Sequence, residues 1–416
     1  MSKKLFINIK SIFGILTGED AYRLKKGAEM ALVNELQYAY LAVDQGTIAD
    51  FGPMVDCPQD FDGEIVNCDG QYLIPSWCDS HTHLVFAEGR EHEFVMRLQG
   101  KSYEEIAAAG GGILNSAEKL QSYTEEVLYQ SASERLRNLI KLGTGSIEMK
   151  SGYGLSFESE LKILRVIQQL QRDFPVLVKR TFLGAHAIPK NYALDRKAYI
   201  DMLINDLLPV VMEEGLADYI DVFCDKGFFT VEETDHILKA GAAAGLKAKI
   251  HANELANSGG VQVGIANRAI SVDHLEAIED QEILDLLGSD TIPTVLPSVS
   301  YYLNIPFAPG RRMIDQGLGI AIASDYNPGS SPSGNMQLLQ SIACTKMKLL
   351  PKEVFNAMTI NGACAMELEH QVGSITVGKL ANFCLTKPIS SMDFMAYAFG
   401  ENHIDAVYLG GDRFIG

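Results

Sequence analysis

The sequence contains no run of about 18 apolar residues, the length a membrane-spanning helix requires. Its opening Leu5-Phe6 is soon followed by Asn8 and Lys10, so it does not read as a secretory signal. A cytoplasmic protein with no membrane contact is expected. Paired cysteines are also missing: the seven present stand at 57, 68, 78, 224, 344, 364 and 384 with no CxxC among them. That spacing argues against a disulfide framework and against a thiolate zinc site, and the cysteines read as mostly buried thiols. Positive charge is scarce. With 35 Lys and Arg against 53 Asp and Glu, and a formal charge of −18, the chain does not supply the basic surface a phosphate backbone needs, so nucleic acid is not an expected partner. No internal repeat or low-complexity tract is evident.

What is present is ordinary globular material, 47% hydrophobic and 21% charged over 416 residues, enough for one large domain and a smaller companion. Up to about residue 70, short apolar runs at Leu5 to Ile9 and Tyr38 to Val43 are broken by turn signals such as Asp44-Gln45-Gly46 and Phe51-Gly52-Pro53, a pattern of strands and turns. From Tyr72 onward, short β-rich runs alternate with helical stretches. Eight such runs, near 72–79, 145–150, 177–183, 219–224, 247–252, 269–274, 291–295 and 319–324, predict a (β/α)8 TIM-type barrel. Leu128, Ala132, Leu136, Leu139 and Ile140 recur at helical spacing behind the acidic start Glu125-Glu126, which is the stripe of a helix packed on a core. After a helix near Lys352 to Met366, strand-like pieces return at Gly373 to Gly378 and Ala406 to Leu409. The expected architecture is α/β, with the barrel over 71–365 and a small β-sandwich domain built from both termini, 1–70 and 366–416.

The chemistry begins at Asp79-Ser80-His81-Thr82-His83, just after the first predicted barrel strand. A strand sends residues i and i+2 to the same face, so His81 and His83 can face one ion, and imidazole suits both zinc and iron. An isolated HxH is more often a pair of satisfied histidines. Here, however, His251 closes the fifth predicted strand and Asp325 the eighth, and a barrel gathers those carboxyl ends on one face. His81, His83, His251 and Asp325 are therefore the expected ligands of a single metal ion. His274, closing the sixth strand, is a catalytic candidate whose bland alternative is a hydrogen-bonded core histidine. Lys150 closes the second strand in a context that requires no second metal, and it reads as a structural lysine or ion-pair partner.

An HxH after strand one, histidines after strands five and six and an aspartate after strand eight resemble the amidohydrolase superfamily over roughly residues 70–365, and the flanking β segments resemble its composite small domain. Longer motifs resemble the imidazolonepropionase family within it. They are His81 to Arg90, continuing through Glu93-Phe94 to Gly110-Gly111-Gly112-Ile113; Lys150-Ser151-Gly152-Tyr153-Gly154-Leu155; Leu183-Gly184-Ala185-His186-Ala187-Ile188-Pro189; and Ser324-Asp325-Tyr326-Asn327-Pro328-Gly329-Ser330-Ser331-Pro332. One departure is Ile74-Pro75-Ser76-Trp77-Cys78, where the family pattern has a glycine after the proline and a smaller apolar residue in place of Trp77. It concerns packing beneath the metal.

The resemblance implies hydrolytic opening of 4-imidazolone-5-propanoate to N-formimino-L-glutamate by metal-activated water, one zinc or iron ion per subunit, and a homodimer. It also implies that Arg90, Tyr153 and His186 contact the substrate. A guanidinium can hold a carboxylate through two parallel hydrogen bonds, although by itself Arg90 could equally be a surface arginine or a structural partner of Glu88 or Glu91. Tyr153 offers a phenol donor from a glycine-flanked loop, where tyrosines are usually half-buried packing. Asn327, Gly329 and Ser330 are implied substrate contacts in a loop of small residues that an ordinary Asn-Pro-Gly turn would also explain. In the implied mechanism Asp325 takes the water proton and His274 orients the nucleophile or polarises the carbonyl. Glu254, otherwise an N-terminal helix residue, binds the ring or relays a proton to the departing nitrogen. The rival readings are a deaminase of the same superfamily acting on a nucleobase or related heterocycle, and a scaffold of this fold without chemistry.

Overall fold

A computed structural model of the chain describes residues 3–101, 105 and 111–415; Gly110 of the glycine-rich motif lies outside them. Five strands, β1 (Lys4–Ile15), β2 (Asn34–Asp44), β3 (Thr47–Pro53), β4 (Glu64–Asn67) and β5 (Tyr72–Pro75), come first. Eight follow with helices between them: β6 (Trp77–Asp79), β7 (Thr144–Lys150), β8 (Leu177–Ala185), β9 (Tyr219–Cys224), β10 (Lys247–Ala252), β11 (Ser271–His274), β12 (Ile292–Val295) and β13 (Ala321–Ile322). The chain closes with β14 (Phe383–Thr386), β15 (Ile404–Leu409) and β16 (Asp412–Arg413).

The first and last groups form one mixed sheet in the order β16-β15-β14-β5-β1-β2-β3, with β4 alongside β1. Alternate side chains turn inward along these strands, burying Phe6, Ile9, Leu41, Val43, Phe383 and Tyr408 in a core separate from that of the barrel. Phe6 meets Phe383 and Tyr408 edge to face, with ring centroids 5.0 and 4.9 Å away, the arrangement that aromatic quadrupoles favour.

Strands β6 to β13 stand side by side in chain order and every neighbouring pair is parallel. The seam between β6 and β13 is joined just past the strand ends, where Thr82 pairs in parallel with Tyr326. There the His83 amide donates to the Tyr326 carbonyl and the Asp325 amide to the His81 carbonyl, each at 2.9 Å. The eightfold alternation thus yields the expected barrel, with the mixed sheet from both termini beside it.

Two local expectations are corrected. The run at 72–79 is two strands: Tyr72–Pro75 pairs with β1 and β14 in the mixed sheet, and Trp77–Asp79 pairs with β7 in the barrel. Pro75 has no N–H with which to continue a ladder, and the Ser76 amide turns to the Asn382 carbonyl at 3.2 Å. Trp77 itself is fully buried; its Nε1 donates to the Leu142 carbonyl at 3.2 Å and its ring meets Phe355 at 6.1 Å. Gly143, at φ +104°, has no room for a Cβ beside that indole. The helix expected at 352–366 is likewise two, Pro351–Met358 and Ile360–Cys364, broken at Thr359, whose ψ of −95° is not helical.

The helix Glu125–Lys141 buries the stripe that its spacing predicts, and Thr124 caps it by accepting the Val127 amide. Cysteines are all free, five of them buried. Among the described residues, no helix is long and apolar enough to cross a membrane.

Candidate metal centre

Residues leaving the carboxyl ends of β6, β10 and β13 bring His81, His83, His251 and Asp325 together, each 3% exposed or less. Asp325 Oδ1 lies 3.4 Å from His81 Nε2 and 3.4 Å from His83 Nε2, and His83 Nε2 is 3.5 Å from His251 Nε2. A tetrahedral ion held at about 2.0–2.1 Å has ligand-to-ligand edges of about 3.3–3.4 Å. His81 Nε2 is moreover enclosed without a hydrogen-bond partner, an arrangement that costs free energy unless something fills it. The donor set and its spacing fit a divalent ion.

What lies beneath explains why the imidazoles point this way. His81 Nδ1 is 2.6 Å from Asp273 Oδ2, and His251 Nδ1 is 3.1 Å from Asp221 Oδ1. Each carboxylate holds the ring proton on Nδ1 and turns the Nε2 lone pair to the centre. The two carboxylates share one ammonium, since Lys150 Nζ is 2.8 Å from Asp221 and 3.6 Å from Asp273. Glu148 accepts from Lys150 at 2.6 Å and pairs also with Lys249. Lys150 is therefore an ion-pair partner, as its strand-end position suggests. Aspartates and glutamates inside strands give no sequence cue to facing inward, which is why Glu148, Asp221, Lys249 and Asp273 escape a reading by motif; the one usable signal is that Asp273 directly precedes His274.

Electrostatics follow this frame. Burial drives His251 down to about 3 against the pull of Asp221, and it lowers His83 and, further, His186, so these rings are neutral near pH 7. Burial disfavours the charge on Asp325, but the adjacent imidazoles of His81 and His83 outweigh it and hold the carboxyl well below its ordinary range. His274 Nδ1 sits 3.7 Å from Glu254 and 3.6 Å from Glu276. Burial lowers its affinity for a proton, yet those two carboxylates raise it to about 10. Glu254 is pushed up to about 7 by burial and by the charges of Glu276 and Asp325, against the pull of His274. Glu276, a buried neighbour of His274, is a further residue the motifs do not disclose. Both His274 (φ +85°) and Asp325 (φ +49°) adopt left-handed backbone, conformations that side-chain-bearing residues hold only when the surroundings impose them.

The remaining expected residues divide into two sets. His186 stacks on His83 at 5.1 Å, with Tyr153 at 5.4 Å from both rings; His186, His83 and His251 also form a compact donor trio. Glu254 lies in the loop after β10, ahead of a helix that starts only at Gly260, so it is not an N-terminal helix residue. Asn327 turns back on Asp325: its Nδ2 donates to Asp325 Oδ2 at 2.8 Å and its Oδ1 accepts the amides of Gly329 and Ser330. The Ser330 hydroxyl is 3.3 Å from the same Asp325 oxygen. Arg90 stands at the rim, where its guanidinium occupies the space a Cβ on Gly329 would need. It pairs with Glu93, while Glu88 takes Lys119 and Tyr123.

A barrel with this cluster at its carboxyl face defines a metal-dependent hydrolase, and the sequence matches the model of the amidohydrolase family over residues 72–413. It is 50% identical over 407 residues to the imidazolonepropionase of Christiangramia forsetii, covering 98% of each chain. To that of Flavobacterium johnsoniae it is 51% identical, covering 92% of this chain and 94% of the other. Among solved structures, the E. coli guanine deaminase superposes with a TM-score of 0.74 at 13% identity over 99% of each chain. The chain thus belongs to the amidohydrolase family and, within it, to the imidazolonepropionases.

Proposed function

We infer that the chain hydrolyses 4-imidazolone-5-propanoate, adding water at the ring carbonyl carbon and breaking its bond to nitrogen to give N-formimino-L-glutamate. The observation that carries this reading is the position of Arg90 against Gly329. It puts a cation suited to a carboxylate against the loop that leaves Asp325. Tyr153 links the two, since its phenol, raised by burial, also senses the charges of Arg90 and Asp325.

His81, His83, His251 and Asp325 would hold one zinc or iron ion. Such an ion, when bound, brings the pKa of a coordinated water toward neutrality and polarises an adjacent carbonyl. Asp325 accepts a proton from the attacking water at Oδ2, the oxygen that Asn327 and Ser330 steady. His274, kept protonated between Glu254 and Glu276, donates toward the carbonyl oxygen as charge develops there. Glu254, poised near neutrality, delivers a proton to the departing ring nitrogen. Arg90 takes the propionate, and Tyr153 and His186 orient the ring from one side while Gly329 and Ser330 bound the other.

The test is to incubate metal-loaded protein with 4-imidazolone-5-propanoate and identify the product by mass spectrometry. Formiminoglutamate is expected. Ammonia released from guanine or cytosine, with no formiminoglutamate formed, would replace this reading with a deaminase.

A further inference from the structure

Glu93 belongs to none of the roles above, yet it is built into the rim more tightly than a surface ion pair. It is 3% exposed. Its Oε1 accepts Arg90 Nε at 2.8 Å and its Oε2 accepts Arg90 Nη2 at 2.6 Å, a two-pronged clamp that fixes the guanidinium plane. Oε1 also accepts the Gly112 amide at 3.0 Å, which ties the helix Glu91–Leu98 to the start of the helix Ile113–Gln121. Clamping the Nε–Nη2 edge turns Nη1 toward Gly329. Arg97, one helical turn beyond Glu93, reaches the Gly329 carbonyl at 3.2 Å. Two of the sequence motifs, the one running from Arg90 through Gly112 and the one carrying Gly329, therefore meet at the Glu93–Arg90 pair.

We propose that Glu93 is a positioning residue for substrate selection: it aims the Arg90 guanidinium so that the site favours ring substrates carrying a carboxylate tail. The proposal rests on the reading of Arg90 given above. A carboxylate beside the guanidinium weakens its pull on anions in general, so what Glu93 contributes is orientation. The gain is confined to a carboxylate that arrives along one direction. Glu93→Asp separates the two effects because it keeps the charge but is one methylene too short to hold both prongs and Gly112.

The experiment measures KM and kcat for 4-imidazolone-5-propanoate and for the tail-less 4-imidazolone in wild type, Arg90→Ala, Glu93→Asp and the double variant, with thermal melts confirming the fold. Glu93→Asp should raise KM for the tailed substrate about ten-fold, the worth of a charge-assisted hydrogen bond. Its kcat should change little, and the tail-less compound should be turned over as by wild type. In the double variant the loss should not exceed that of Arg90→Ala alone, since Glu93 acts through Arg90. An unchanged or lowered KM in Glu93→Asp, beside an impaired Arg90→Ala, overturns the inference and leaves the functional reading intact. An Arg90→Ala variant that loses nothing specific to the tail overturns both. If Glu93→Asp does not fold, Glu93→Gln, of the same shape but able to keep only one prong, carries the same expectation and the same refutation.

Discussion

The floor beneath the metal-binding cluster and the core of the terminal sheet are equally sealed from water but are held by opposite means. In the sheet, Phe6, Phe383 and Tyr408 pack ring on ring, and their cohesion falls off gradually with displacement. In the floor, Glu148, Lys150, Asp221, Lys249 and Asp273 are all 1% exposed or less and hold one another by directed bonds between opposite charges. Burying such charges costs several kcal/mol each before pairing offsets it, so the lattice is a poor choice for stability alone. What it supplies is direction: through Asp273 and Asp221 it fixes the tautomer and angle of two imidazoles that must present their lone pairs to one point. Apolar packing tolerates small shifts that a four-donor cluster does not.

That contrast can be broken in several places. The largest effect should come from Asp325→Asn, which keeps the shape but removes the carboxylate. Turnover should fall about 10³-fold while the thermal melt of the metal-free protein stays cooperative, and near-normal turnover would remove Asp325 from the chemistry. Next is Phe383→Ala in the terminal sheet, expected to cost about 3–5 kcal/mol in urea unfolding while the activity of the molecules that remain folded is unchanged. Lys150→Met should cost about 3 kcal/mol, because it strands buried carboxylates without their cation. Unlike Phe383→Ala, it should also weaken metal retention against a chelator about ten-fold or more. If both variants affected metal retention alike, the distinction between the two cores would fail.

The smallest effect is a dependence on pH. In the metal-free protein, His251 is lowered to about 3 from 6.5, and His83 and His186 are lowered too. The unfolded chain then binds more protons than the folded one below pH 6.5, so stability is lost as pH falls from there toward 3. His274, raised to about 10, has the reverse sign. Its contribution is full below pH 6.5 and fades as pH rises through 10. Thermal melts across this range should show a maximum near neutrality. A melting temperature that kept rising as the solution was acidified from pH 6.5 would contradict the neutral state assigned to the buried rings.

Much of this was legible beforehand because it depends on periodicity and on strand ends. His81 and His83 obey the two-residue repeat of a strand, and His251, His274 and Asp325 each terminate a β-rich run, so the barrel rule alone predicts that they converge. What stayed hidden depends on contacts the linear order does not mark. Nothing in Tyr219-Ile220-Asp221-Val222 indicates that Asp221 faces the barrel axis under His251. The division of 72–79 between two sheets is masked because both halves are apolar and the turn is a single residue, Ser76. The motif likewise gives no sign that the Asn327 amide holds Asp325 and the Gly329-Ser330 backbone.

Finally, β6 and β13, the first and last staves of the barrel, share no ladder among the described residues; they are joined by the bridge at Thr82 and Tyr326 and by Asp79, which accepts the Ser324 amide and hydroxyl. Three of the four donors, His81, His83 and Asp325, flank that bridge. A cation held by these donors would also act as a clasp on the ring, fastening the beginning of the barrel's chain to its end. Loading the site should therefore resist unzipping along this one line far more than anywhere else on the circumference, as ligand linkage requires of a species that binds only the closed form.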